Sequence, residues 1–392
     1  MASRMPAMHD VVIIGGGPAG LHVGARLARR GFDTALLEEH PTIGEPVHCT
    51  GVLAAEAFEE FGLSRRSVLN ELTTARFWSP AGHQITYSGA KVEAVVVDRR
   101  AFDEELHELA QTAGVAVERG ARATGIQIDG SGVAVKTSSG DWRARVCVLA
   151  CGANYSLHRQ VGLEMPGLFL HTAQVELPAQ LGGDVELHFG STVAPKGFGW
   201  VVPVARGDNG CARIGVMCEH EAPRHFERLA DRVAGRWRID RAQIGRPRQK
   251  ILPLAPISRT YGDRLVAIGD AAGLVKPTTG GGIYYSLLSA SLAADVLAGA
   301  LADDDLGAAR LAPYEQQWRD RLDDEFHAQL SLRSVAHRMT DDDIEQLFEL
   351  ARTDGVMPIV RRTASFNRHR NLILALLKHP PVRQILRRRF AF

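Results

Sequence analysis

The chain has 392 residues, 45% hydrophobic and 23% charged, and its 46 Lys+Arg against 45 Asp+Glu leave a formal net charge of +1. These are ordinary globular values. They exclude long disorder, a collagen-like chain and a disulfide miniprotein, leave room for two or three domains, and supply no global drive toward nucleic acid. Glycine stands out, with 39 residues against a typical share of ~7%. Five cysteines, an odd number, do not read as a disulfide framework. Met1–His9 lacks the apolar stretch of a signal peptide, and no continuous apolar run reaches the ~18 residues of a membrane span. A reducing cytoplasm is the expected compartment.

Asp10–Ile14 is a short β-branched run, the mark of a buried parallel strand. Gly15-Gly16-Gly17-Pro18-Ala19-Gly20 follows at once. The spacing Gly15-x-Gly17-x-x-Gly20 is a dinucleotide fingerprint. Gly15 allows the tight turn, Gly17 the approach of a pyrophosphate, and Gly20 close helix–strand packing, which Gly24 extends. A helix over Ala19–Arg30 aims its N-terminal N–H groups at the phosphates, and Gly31 stops it. Phe32–Leu37 reads as the second strand. It ends in Glu38, with Glu39 beside it, placed to accept from the ribose hydroxyls of an adenosine.

Val96-Val97-Asp98-Arg99 precedes an expected helix over Ala101–Ala113. Val146–Ala150 is a further buried strand, and Cys147 and Cys151 on it and at its end read as small hydrophobes. In the middle of the chain, Arg76–Tyr87, Val185–Phe189, Gly199–Val204 and Ala212–Met217 read as an antiparallel sheet, with a helical patch over Phe226–Arg236 against it. Arg264–Ile268 is another strand and opens into Gly269-Asp270-Ala271-Ala272-Gly273. Pro277 and Gly280-Gly281-Gly282-Ile283 follow, then a helix through about Leu301. Asp270 at a strand end suits the ribityl hydroxyls of a flavin. The Gly280–Gly282 turn and the helix N-terminus suit the flavin's N1–C2=O edge.

These segments resemble the FAD-dependent oxidoreductases of the aromatic-hydroxylase type, whose second fingerprint is a strand followed by Gly-Asp, here Gly269-Asp270. The resemblance implies FAD as cofactor and an arginine, matched by Arg99, that contacts it. A surface salt bridge is the other reading of Arg99. Where that group has Asp-Gly after the strand, this chain has Cys151-Gly152. No second fingerprint unit appears, so the reductant, NAD(P)H or a ferredoxin-like carrier, is expected to bind transiently.

Two more segments, Gly44-Glu45-Pro46-Val47-His48-Cys49-Thr50-Gly51 and Pro195-Lys196-Gly197-Phe198-Gly199-Trp200-Val201-Val202-Pro203, resemble the geranylgeranyl reductase family. Its members saturate isoprenoid double bonds on lipids, chlorophyll precursors or quinone tails. The resemblance runs from about Asp10 to Leu301. It implies that Cys49 lies at the flavin, as cofactor-binding and catalytic residue, and that Phe198 and Trp200 form an apolar wall for a prenyl chain. The family's Tyr-x-Trp-x-Phe-Pro motif appears here as Phe198-x-Trp200-x-Val202-Pro203. Simple packing of Cys49, and sheet-core roles for the two aromatics, are the competing readings. His48 reads as a structural neighbour. A flavin monooxygenase or halogenase is the alternative enzyme, and it would need a lysine, of which Lys91 is the nearest. An electron-transfer flavoprotein is a third reading, disfavoured because there is no cysteine cluster for an iron–sulfur centre. No metal site is expected.

From Leu311 the pattern is helical, with amphipathic segments over Asp320–Leu332 and Asp341–Arg352. Asp341 to Asp343 are expected as a solvated helix start. After Asp354 no acidic residue follows, while Arg361, Arg362, Arg368, Arg370, Lys378, Arg383, Arg387, Arg388 and Arg389 flank the greasy stretch Asn371–Leu377. This tail reads equally as a packed terminal helix or as a peripheral contact with the inner face of the membrane. Nucleic acid is not an expected partner. The expected architecture is α/β, α+β overall. A Rossmann-like FAD-binding domain (1–72, 97–160 and 250–305) carries an inserted antiparallel-sheet substrate domain (73–96 and 161–249) and a helical C-terminal region (306–392).

Overall fold

The computed structural model describes residues 8–179, 184–206, 210–353 and 355–387. Of the tail residues named above, Asp354, Arg388 and Arg389 lie outside the described residues. The chain forms two compact units. The first takes in Met1–Val47, Arg99–Leu168 and Pro253–Asp323, and the second His48–Asp98, Phe169–Leu252 and Asp324–Phe392. Residues 48–72 therefore group with the sheet unit, apart from the nucleotide fingerprint they follow in sequence. Most of the helical C-terminal region groups with it too.

The first unit is built on an eight-stranded sheet. Its centre is Met8–Ile14, which pairs in parallel with Asp141–Leu149 on one side and Thr34–Glu38 on the other. Ala116–Arg119 and Leu265–Ala267 extend it in parallel at the two flanks. The inner strands are apolar without alternation because both faces are covered, as the run Val11 to Ile14 shows. The Pro18–Ala28 helix packs against Arg99–Thr112 and against Ile283–Ala302. Ile283–Ala302 is, among the described residues, the one helix long and apolar enough to cross a membrane. Most of its side chains are buried in this unit, so it is accounted for as a core helix. Tyr314 and Trp318 anchor the start of the Ala308–Arg338 helix, donating to the Ala267 carbonyl at 2.8 Å and the Thr260 hydroxyl at 3.0 Å.

The second unit carries a seven-stranded sheet in the order Arg248–Pro253, Phe169–Pro178, Cys211–Cys218, Phe198–Val204, Val185–His188, Thr74–Trp78, Gln84–Ser88. Its central pairings are antiparallel, as expected, with one exception. Val185–His188 and Thr74–Trp78 run parallel. The two strands are far apart in sequence, so no tight hairpin forces them antiparallel. Side chains alternate across this sheet. Val201 and Ile214 join Phe226, Leu229 and Val233 of the Ala222–Val233 helix in one core, while Phe198, Trp200 and Val202 take the opposite parity.

The C-terminal helices of this unit are tied to its sheet. Asp341 accepts from both the backbone and the hydroxyl of Ser191, each at 2.8 Å. Glu345 accepts from His83 and from the Ala81 N–H. Asp343 corrects an expectation. It is 3% exposed rather than solvated, because it reaches back to the Thr340 N–H at 2.8 Å and closes a capping box.

Candidate active site

In the first unit the fingerprint residues take the positions their spacing demands. The Pro18–Ala28 helix starts at Gly17 with Pro18 in its first turn, and no side chain caps it. Its first N–H groups and positive dipole end are thus left for an external anion. A Cβ on Gly17 would meet nothing within 4 Å, so an open cradle lies at this point of the backbone. A Cβ on Gly20, by contrast, would stand 2.0 Å from the Gly15 carbonyl oxygen. Glu38 closes the strand Thr34–Glu38. Its carboxylate accepts from the Gly16 N–H at 2.7 Å and from the His40 backbone and ring. Glu39 is exposed and pairs with Arg122 at 3.5 Å. An uncapped helix end, an open glycine and a fixed carboxylate together fit the pyrophosphate and ribose of an adenine dinucleotide.

The Gly-Asp turn lies in the same unit. Gly269–Ala272 forms a single 3-10 turn, braced from residues 155–158. The Tyr155 hydroxyl donates to the Asp270 carbonyl at 2.8 Å, and the His158 ring to the Ala271 carbonyl at 2.7 Å. Burial holds the His158 pKa low, so the ring is a neutral donor. Gly282 makes room for Asp270, since a Cβ there would meet its carboxylate oxygen at 2.8 Å. Gly280, Gly281 and Ile283 are partly exposed at the start of the Ile283–Ala302 helix, which no side chain caps, and Pro277 is buried. Arg99 opens the Arg99–Thr112 helix, and its guanidinium grips Asp103 through contacts of 2.8 to 3.1 Å. Burial pushes the Cys151 thiol up to about 12 and that of Cys147 higher still. Neither is a thiolate at neutral pH, which agrees with their reading as small hydrophobes.

The second unit holds Cys49, Phe198 and Trp200. Cys49 is partly exposed, and the Gly51 N–H donates to its sulfur at 3.3 Å. Arg213 fixes the adjoining residue. It is 2% exposed, and its Nη1 donates to the carbonyls of Thr50 at 2.6 Å and Val97 at 3.0 Å, while Nε donates to Glu176 at 2.7 Å. The Thr50 hydroxyl and the Trp200 indole N–H both reach Gln174 Oε1. A row of rings continues from Trp200: Phe198 at 6.0 Å, then Phe189 at 6.2 Å, with Phe77 and Phe348 at 6.5 and 6.2 Å from Phe189. Phe77, Phe189 and Phe198 are partly exposed, so the row presents an apolar wall. Lys91, the lysine the halogenase alternative would call on, is exposed on the connection before Ala94–Val97.

Sequence alone gives no site role to Gln174, Arg213, Gly215 or Phe189. A signal existed for two of them, since Gln174 and Arg213 are polar side chains inside otherwise apolar strands. Gly215 carried none. Its role is steric, because a Cβ there would stand 2.3 Å from Trp200 Cζ2.

An FAD binding domain family model matches residues 8–324. The digeranylgeranylglycerophospholipid reductase of Methanocaldococcus jannaschii is 30% identical over 358 residues, covering 87% of this chain and 90% of that protein. The digeranylgeranylglycerophospholipid reductase 1 of Methanococcoides burtonii is 30% identical over 367 residues, covering 88% and 87%. A geranylgeranyl bacteriochlorophyll reductase-like protein of Thermoplasma acidophilum shares the fold at a TM-score of 0.84, with 23% identity, over 97% of this chain and 99% of its own. With the fingerprint, the Gly-Asp turn and the Cys49 segment in place, the chain belongs to the geranylgeranyl reductase family of FAD-dependent oxidoreductases.

Proposed function

We infer that this protein saturates isoprenoid C=C bonds of a prenyl lipid. The observation that carries the reading is 30% identity across nearly the whole length of a digeranylgeranylglycerophospholipid reductase, in a chain whose second unit presents a partly exposed aromatic row. An isolated alkene is a poor hydride acceptor, and reduced FAD supplies the hydride. The residues of the chain do the rest. Glu38, the Gly17 cradle and the uncapped helix end would hold the cofactor's adenosine and pyrophosphate, and Asp270 would hold its ribityl hydroxyls. The partly exposed Phe77, Phe189 and Phe198 would hold the prenyl chain by area burial and keep water from it, backed by Trp200, which is 9% exposed. Cys49 supplies the proton for the second carbon from its thiol, so hydride and proton together complete the saturated bond. NAD(P)H or a ferredoxin-like carrier would return electrons to the cofactor. Oxygen separates this reading from a monooxygenase or halogenase. Reduced protein given a geranylgeranyl lipid under anaerobic conditions forms product here, whereas the alternatives require oxygen.

The tail supports a peripheral place on the inner face of the membrane. Within 355–387 no acidic residue occurs. Arg361, Arg362, Arg368, Lys378 and Arg383 are exposed, and so are Leu374 (38%) and Leu377 (36%) on Arg370–Lys378. Cations beside exposed leucines suit an anionic bilayer. A Leu374→Glu/Leu377→Glu variant is expected to lose co-sedimentation with anionic vesicles. Unchanged sedimentation refutes the contact.

A further inference from the structure

We propose that Gln174 is a positioning residue that fixes the Cys49 loop and the Trp200 indole together through one amide oxygen. The assignment of that oxygen follows from donor chemistry. A tryptophan N–H only donates, so the atom 3.2 Å from Trp200 Nε1 is the amide oxygen and not the nitrogen. The Thr50 Oγ1 lies 2.9 Å from the same oxygen and must therefore donate as well. Gln174 is 8% exposed, so water is a poor substitute for either bond.

The register of the sheet explains how Trp200 reaches Gln174 across the strand that lies between them. Gln174 stands opposite Gly215, and Gly215 opposite Trp200. The three residues form a row on one face, across two strand spacings of about 4.8 Å each. Gly215 has no side chain, so the Trp200 ring lies over it, and its indole N–H reaches the far strand. A Cβ at 215 would close this path at 2.3 Å.

Residue 50 is thus held twice, by Gln174 at its hydroxyl and by Arg213 at its carbonyl. Cys49 is its covalent neighbour, and the Gly51 N–H on the other side is aimed at the Cys49 sulfur. Releasing the Thr50 hydroxyl frees the thiol to wander, and releasing the indole lets the wall tilt. Reaction geometry is sensitive to such shifts: a displacement of ~1 Å costs on the order of 100-fold in rate.

The inference rests on the reductase reading for its catalytic consequence, but two of its readouts need no substrate. Gln174→Met keeps the length and volume and removes the acceptor, whereas Gln174→Glu keeps an acceptor. In the FAD-loaded protein, the Trp200 indole N–H resonance, assigned with Trp200→Phe, is expected to move upfield in Gln174→Met and to stay near its place in Gln174→Glu. Alkylation of Cys49 by iodoacetamide, followed by peptide mass mapping, is expected to speed up in Gln174→Met only. With a geranylgeranyl lipid, kcat is expected to fall about tenfold to 100-fold in Gln174→Met with KM nearly unchanged, and Gln174→Glu to recover most of it. Gly215→Ala breaks the same bond from the other side and is expected to shift the same indole resonance. A wild-type indole position and alkylation rate in Gln174→Met overturn the proposal. If those two readouts behave as expected and the wild-type protein reduces no prenyl lipid, the reductase reading fails and the positioning role stands.

Discussion

Gly17 and Gly20 sit three residues apart in one fingerprint, and the structure gives them opposite sensitivities to the same added methyl group. A Cβ on Gly20 would stand 2.0 Å from the Gly15 carbonyl oxygen and 3.3 Å from the Ala150 side chain. The backbone has to move by about 1 Å to admit it, an overpacking that typically costs ~1–3 kcal/mol. Gly20→Ala is therefore expected to lower the urea midpoint of the protein even without flavin. A Cβ on Gly17 meets nothing, and the residue's φ of −80° suits any amino acid. Gly17→Ala loses at most about 1 kcal/mol through the weaker helix cap, so the flavin-free protein keeps nearly its full stability. The methyl group instead fills the space that the pyrophosphate needs. FAD affinity is expected to fall about tenfold to 100-fold, or ~1.4–2.8 kcal/mol. Urea unfolding of the stripped proteins and fluorescence titration with FAD measure both quantities. A Gly17→Ala protein that binds FAD like wild type refutes the cradle, and a Gly20→Ala protein of full stability refutes the packing argument.

Three further outcomes follow from side chains whose partners are fixed. Glu38→Gln removes the charge that accepts from Gly16 and His40 and is expected to weaken FAD binding about tenfold, seen by the same titration. His22 is held down to about 4 from 6.5 by burial and by Arg26 and Arg29. Its neutral form stabilises the fold fully above pH 6.5, and that contribution, up to about 3 kcal/mol, is lost as pH falls toward 4. His22→Asn is expected to flatten the stability–pH curve in that window, and an unchanged slope contradicts the assignment. Arg213→Met strips the Thr50 and Val97 carbonyls of a buried donor, while Glu176 keeps Arg206, and is expected to cost about 1–3 kcal/mol by urea unfolding.

The nucleotide half was legible because its signals are local. A strand, three spaced glycines, a helix and an acid fall within one short stretch, so spacing alone places Gly17, Gly20 and Glu38. Asp270 was legible for the same reason. What braces it was not, because Tyr155 and His158 reach its turn from more than 100 residues away. In the sheet unit the strands were legible as alternating runs, yet their partners were not. The parallel pairing of Val185–His188 with Thr74–Trp78 is a long-range contact with no turn to announce it. Gln174, Gly215 and Trp200 acquire meaning only through register across three strands, which no single segment encodes. Asp343 was misread for a simpler reason. Three successive aspartates look like a solvated helix start, but the helix turn points the third back at Thr340.

The central claim is that this flavoprotein adds two hydrogens across an isoprenoid double bond. The most direct measurement is anaerobic single turnover of the fully reduced protein with a geranylgeranyl glycerophospholipid, following flavin absorbance and lipid mass together. One flavin is expected to be reoxidised for each pair of hydrogens gained by the prenyl chain, with slowed turnover in Cys49→Ala. Flavin that stays reduced beside unchanged prenyl lipids, and is reoxidised only when oxygen is admitted, would contradict it.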